Sequence, residues 1–113
     1  ISGNTLLSIS LRNTIGMEKT GIKKVVMEEI LNLAKKHGIK ELILFGSRAR
    51  GDFNRASDID LAARGGDICR FALDVEDETS TPLRYDVVDL DRNVQEDLRK
   101  MIETEGVVLY EKV

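Results

Sequence analysis

An apolar run, Leu42-Ile43-Leu44-Phe45, stops at Gly46-Ser47. Ten residues after Ser47 a second strand-like segment begins, Ser57-Asp58-Ile59-Asp60-Leu61, with aspartates at alternate positions. Successive side chains on a strand point to opposite faces, so Asp58 and Asp60 project one way while Ile59 and Leu61 enter the core. The pattern sets two carboxylates on one face of a sheet, beside a Gly-Ser turn. A metal–triphosphate is the kind of ligand that such an arrangement can grip.

The chain has 113 residues, which allows a single domain. Its aromatic content is three Phe, two Tyr and no Trp, so the core must be built mostly from Leu, Ile and Val. Lys and Arg number 17 against 20 Asp and Glu, a formal charge of −3 that argues against broad nonspecific binding to nucleic acid. Arg48, Arg50, Arg55 and Arg64 nevertheless fall in or beside the opening stretch. A local basic patch in an acidic protein suits a small anionic ligand better than a long polyanion. Cys69 is the sole cysteine, which excludes an intramolecular disulfide and a cysteine-based zinc cluster. It reads as a small core or near-core residue. No apolar run approaches the roughly 20 residues needed to span a bilayer, and the start carries no charged-then-apolar signal pattern. The expectation is a soluble, cytoplasmic protein.

Taken in order, residues 1–16 fit poorly with the rest of the chain. Leu7-Ser8-Ile9-Ser10-Leu11 alternates like a short strand without a hairpin partner nearby. Met17 looks like a natural start, so residues 1–16 read as a leader or disordered arm and residues 17–113 as the domain; the alternative is an arm that adds a strand to a sheet edge or a neighbouring subunit. A helix is expected from about Gly21 to Lys36, with Ile22, Val26, Ile30, Leu33 and Ala34 on one stripe and Gly38 as its C′ residue. His37, in the last turn, reads as a surface cap on the helix dipole. Glu41 to Phe45 is the first core strand, and Ser47 is expected to cap a short helix carrying Arg48 and Arg50. Residues 57–63 form the second strand, ended by Gly65-Gly66. Asp67 can cap a helix with Ile68, Phe71, Ala72 and Val75 inward, its acidic outer face solvated. Pro82 precedes a third strand, Leu83 to Leu90, with Leu83, Tyr85, Val87 and Asp89 on one side and Arg84, Asp86, Val88 and Leu90 on the other. Asn93-Val94-Gln95-Glu96 resembles a capping box opening the last helix. Gly106 ends that helix, and Val107 to Leu109 is a short final strand. The order is a two-layer α/β (α+β) arrangement with a small mixed sheet and helices packed against it.

An acidic pair alone is a weak signal. A strand ending in Gly46-Ser47, the ten-residue gap, Asp58-Ile59-Asp60 and another aspartate on a third strand together resemble the nucleotidyltransferase superfamily that includes DNA polymerase beta. The register from Met17 to Val113, including Tyr85-Asp86-Val87-Val88-Asp89-Leu90, a helix and Gly106-Val107-Val108-Leu109-Tyr110, is similar to its minimal nucleotidyltransferase (MNT) branch. The resemblance implies the nucleotidyltransferase fold and transfer of AMP from ATP to an acceptor hydroxyl. Asp58 and Asp60 would share two Mg²⁺ ions, a hard cation suited to carboxylate and phosphate oxygens. The resemblance implies Asp86 as the third catalytic and metal-binding carboxylate. That residue stands where the family pattern places one, whereas Asp89 falls on the opposite face by parity and would need a β-bulge to join the site. Asp91 lies beyond the strand and reads as a cap of the last helix. Gly46 and Ser47 would serve the phosphates, with Arg48 and Arg50 in support: one approaching the triphosphate, the other pairing with an acid such as Asp52.

The MNT resemblance further implies an antitoxin that AMPylates a HEPN-domain toxin. The chain has no extra domain to bind a separate acceptor, which favours a protein acceptor brought by complex formation. Two other readings stand beside it: a non-catalytic module that neutralises a partner by masking it, and adenylylation of a small molecule, whose enzymes generally carry an added helical domain. The nucleotide preference, the modified residue and the oligomeric state, a homo-oligomer included, are left open.

Overall fold

The computed structural model describes residues 19–112. Residues 1–16, the expected leader or arm, lie outside the described residues. The described elements follow the order α1 (Lys24–Lys36), β1 (Glu41–Phe45), α2 (Ser47–Arg50), β2 (Ile59–Arg64), α3 (Ile68–Glu78), β3 (Tyr85–Asp89), α4 (Glu96–Glu105) and β4 (Val107–Glu111).

In α1 the apolar stripe buries Val26, Met27, Ile30, Leu33 and Ala34, as helical periodicity requires. The helix starts later than its apolar stripe suggests, because Lys23 is extended (φ −62°, ψ 147°). At its end Gly38 takes φ +69°, and the Ile39 amide returns to the Ala34 carbonyl at 2.9 Å, a left-handed stop that turns the chain into β1. The sheet order is β3-β2-β1-β4. Strand β1 runs antiparallel to both neighbours, whereas β2 and β3 are parallel. A parallel pair needs a crossover, and α3 supplies it.

Alternation along the strands divides the core in two. Leu42, Leu44, Ile59, Leu61 and Ala63 face α1 and α3, where Met27, Ile30, Phe71 and Val75 meet them. Ile43, Phe45 and Ala62 face the other way, onto Ile102 of α4 with Leu98 and Met101 beside it. The result is the two-layer mixed-sheet arrangement expected, with α4 covering part of the second face.

Several local readings are corrected. Strand β3 begins at Tyr85 rather than Leu83. Strand β4 continues to Glu111, because Glu41 of β1 still offers it a partner there. The capping box at Asn93 does not form: Gln95 occupies the N-cap, without a side-chain bond, and α4 opens at Glu96. Asp91 caps no helix; its carboxylate accepts the Gly65 amide at 2.7 Å and ties the ends of β2 and β3 together. Cys69 is exposed, since it lies about 100° round the helix from Ile68 and off the stripe of Ile68, Phe71 and Val75. His37 holds the C-cap position as read, but its ring turns inward and its Nε2 lies 2.7 Å from Asp74 Oδ2 on α3. That hydrogen bond holds the Asp74 carboxyl below its ordinary range. Asp67 caps α3 as read, accepting the Arg70 amide at 3.1 Å. Among the described residues no helix is long and apolar enough to cross a membrane.

Candidate active site

The ends of three adjacent strands bring the sequence-predicted residues together. Phe45 of β1 pairs with Asp60 of β2, and Asp60 pairs with Asp86 of β3. The residue after Phe45 is Gly46, whose φ of 75° and ψ of −158° lie in a region that only glycine adopts freely. A Cβ built on Gly46 would collide with the Asp60 carboxylate. Glycine is therefore required twice over, once by the backbone and once by the acid packed against it. The Gly46 carbonyl accepts the Ala49 and Arg50 amides at 3.1 and 3.0 Å, so Gly46 rather than Ser47 is the N-cap of α2. Ser47 is the first residue of that helix, half-buried, with a hydroxyl that makes no cap bond.

Parity decides which carboxylates share a face. Ile59, Leu61 and Ala63 belong to the α1/α3 side of the sheet, so Asp60 points to the side of Ala62 and Phe45. Asp86 has the same orientation as Val88, which packs on that second side. Asp89 lies opposite Ala63, and its carboxylate takes the Asp91 amide at 2.9 Å and Arg92 at 3.4 Å. It is Asp86 that stands beside Asp60. Asp60 is half-buried, and its pKa is raised by burial first and then by the charges of Asp86 and Asp58, with Arg50 opposing them. Asp60 thus feels the charges of both other carboxylates.

That donor set suits a hard divalent cation: it is all oxygen, anionic and mutually repulsive. Among the described residues no three acidic, histidine or cysteine side chains already converge on one point. Asp58 and Asp86 are exposed, and among those residues neither carboxylate is tied to another side chain by a hydrogen bond or ion pair, which leaves both able to turn toward an ion.

The two arginines of α2 part company. Arg48 is 2% exposed. Its guanidinium donates to the carbonyls of Thr20 (2.9 Å), Ser57 (3.1 Å), Arg55 (3.3 Å) and Asn54 (3.5 Å) and lies 4.9 Å from the centre of the Phe53 ring. These donors are spent on the 53–57 loop and on the segment that leads into α1, so Arg48 fixes the approach of the chain to Asp58 from beneath. Arg50 is exposed, pairs with Asp52 at 3.3 Å as its spacing suggests, and reaches Glu105 of α4 at 3.1 Å. Sequence reasoning did not single out Glu105. It lies 55 residues from Arg50, and no local signal links the two.

Sheet, turn and carboxylates together define a nucleotidyl-transfer domain. Residues 28–113 match the family model "Polymerase beta, Nucleotidyltransferase", and the chain belongs to that family. It is similar to a solved toxin–antitoxin structure with AMP-PNP, at 25% identity and a TM-score of 0.63, over 75% of this chain and 73% of that one. A structure assigned as a minimal nucleotidyltransferase is 30% identical, with a TM-score of 0.57, over 72% of this chain and 86% of the other. A mutant of the toxin–antitoxin MntA-HpeT shares the fold at 22% identity and a TM-score of 0.62, over 75% and 73% of the two chains. No curated protein matches the chain.

Proposed function

We propose that this protein transfers AMP from ATP to a hydroxyl of a protein acceptor, and that the acceptor is a HEPN-domain toxin for which it is the antitoxin. The observation that carries this reading is the register that aligns Phe45, Asp60 and Asp86, with Gly46 packed against the Asp60 carboxylate. Asp58, Asp60 and Asp86 would hold two Mg²⁺ ions, which when bound neutralise the triphosphate and acidify the attacking hydroxyl. Ser47 offers its hydroxyl, and Arg50 its guanidinium, to the phosphate oxygens. Gly46 lets the backbone approach them. The acceptor oxygen forms a bond to the α-phosphorus while the α–β bridging bond breaks. Pyrophosphate departs with the bonding electrons, and Asp86 receives the acceptor's proton. Arg48 shapes the loop that carries Asp58 and does not reach the nucleotide. The protein-acceptor reading draws support from a similar chain that sits in a toxin–antitoxin structure with an ATP analogue.

The test is intact-mass spectrometry of the cognate partner after incubation with this protein, ATP and Mg²⁺. A mass increase of one AMP is expected, absent when Asp58 and Asp60 are both replaced by Asn. If the double variant neutralised the toxin as well as the native protein, masking rather than transfer would be the function.

A further inference from the structure

Three arginines around the ends of the sheet have an acid of their own: Arg50 has Asp52 and Glu105, Arg64 has Glu41, and Arg92 has Asp89. Arg55 and Arg84 differ. Both are exposed, and among the described residues neither guanidinium has a hydrogen-bond or ion-pair partner. Their placement is nevertheless fixed. The Arg84 carbonyl accepts the Ile59 amide at 2.9 Å, the bond that closes the Ile59–Tyr85 pair, so Arg84 and Asp58 are the residues immediately before the paired ends of β3 and β2. Arg55 belongs to the loop whose carbonyls Arg48 grips. Together with Asp58, Pro82 and Leu83 these two arginines line a cavity of about 510 Å³.

This cavity lies toward the β3 side of the site, whereas Gly46 and Ser47 stand at the end of β1. If the triphosphate occupies the Gly46-Ser47 side, the acceptor must enter from the other. We infer that the Arg55/Arg84 cavity admits the acceptor, and that it recognises an acidic segment of a protein next to the modified hydroxyl. This deepens the adenylyl-transfer reading and rests on it. The chemistry fits a carboxylate-bearing peptide: two unpaired guanidiniums offer forked donors to carboxylates, and Leu83 and Pro82 offer apolar contact to the neighbouring side chains. A polynucleotide would call for a longer basic track and stacking rings, and among the described residues no aromatic lines this cavity.

The test uses binding rather than turnover. Three synthetic peptides of equal length, each with a central tyrosine flanked by glutamates, glutamines or lysines, are titrated by fluorescence anisotropy. The protein is held with Mg²⁺ and a non-transferable ATP analogue. The glutamate peptide is expected to bind about fivefold more tightly than the glutamine peptide, and the lysine peptide most weakly. In the Arg55→Gln, Arg84→Gln double variant the preference should vanish while affinity for the analogue stays unchanged. Equal binding of the three peptides would overturn the inference. So would loss of analogue affinity in the double variant, which would assign these arginines to the triphosphate, or tighter binding of an oligonucleotide of the same net charge. Because transfer is not required, a retained acidic preference without AMP transfer to any acceptor would refute the adenylyl-transfer reading and leave the acidic-segment preference standing.

Discussion

The two faces of the sheet are made by the same strands and finished differently. On one, α1 and α3 lie over Leu42, Leu44, Ile59, Leu61 and Ala63, and Phe71, Met27 and Ile30 are wholly buried between the layers. On the other, α4 covers Ile43, Phe45 and Ala62, and its cover gives out where Asp60 and Asp86 begin. The closed face gains stability from apolar burial. The open face gives some of it up, because it holds a half-buried carboxylate close to two others. The contrast between them shows that the site is made by ending a helical layer early. The same device appears in miniature on α2, where Arg48 is turned beneath the fold and Arg50, two residues on, stands at the rim of the carboxylates.

The largest effect that would break this contrast is chemical. Asp60→Asn should lower AMP transfer by about 10³-fold or more, read as labelled AMP incorporated per unit time, since it removes the central member of the proposed metal-binding set. The closed face should answer in stability alone. Phe71→Ala is expected to cost about 3–5 kcal/mol by urea denaturation, with transfer per folded molecule unchanged. A clear loss of transfer in the folded fraction would show that the two faces are not independent. On α2, Arg48→Met should cost about 2–4 kcal/mol, because it orphans several carbonyls at once. Arg50→Ala should leave the melting temperature within error and raise the KM for ATP a few-fold. Similar melting temperatures for those two variants would erase the distinction drawn between them.

How much of the fold and site was legible in the sequence depended on the range of the interaction. The strands follow from alternation, which also sets Asp58 and Asp60 on one face and parts Asp86 from Asp89; the choice of Asp86 over Asp89 rested on the family resemblance, because alternation within one strand does not say which of its faces meets a neighbour's. The pairing of Arg50 with Asp52 was equally local. The readings that failed involve competition between neighbours or partners far along the chain. Ser47 looked like a cap, but Gly46 took that position because its own conformation already turns the chain. Asp91 looked like a helix cap and was claimed instead by the Gly65 amide, 26 residues away. Arg48 reads as a phosphate ligand by proximity to Ser47; what buries it are carbonyls at Thr20 and in the 53–57 loop. Cys69 failed for a simpler reason, a wrong face of the right helix.

Asp60 is held at an electrostatic cost that the proposed metal binding would relieve. Burial and the charges of Asp86 and Asp58 hold its pKa above the ordinary carboxylate value, so the native state binds this proton more readily than the unfolded chain does. The penalty is then absent below the ordinary carboxylate pKa of about 3.9 and grows as pH rises through the raised native value. Thermal melts of the native protein and of Asp60→Asn, metal-free and across pH, measure this directly. The variant should melt higher than the native protein at neutral pH, the gap should close on acidification, and Mg²⁺ with ATP should raise the native protein alone. A variant that melts lower at every pH, or that gains as much from Mg²⁺ and ATP as the native protein, would contradict that cost and its relief.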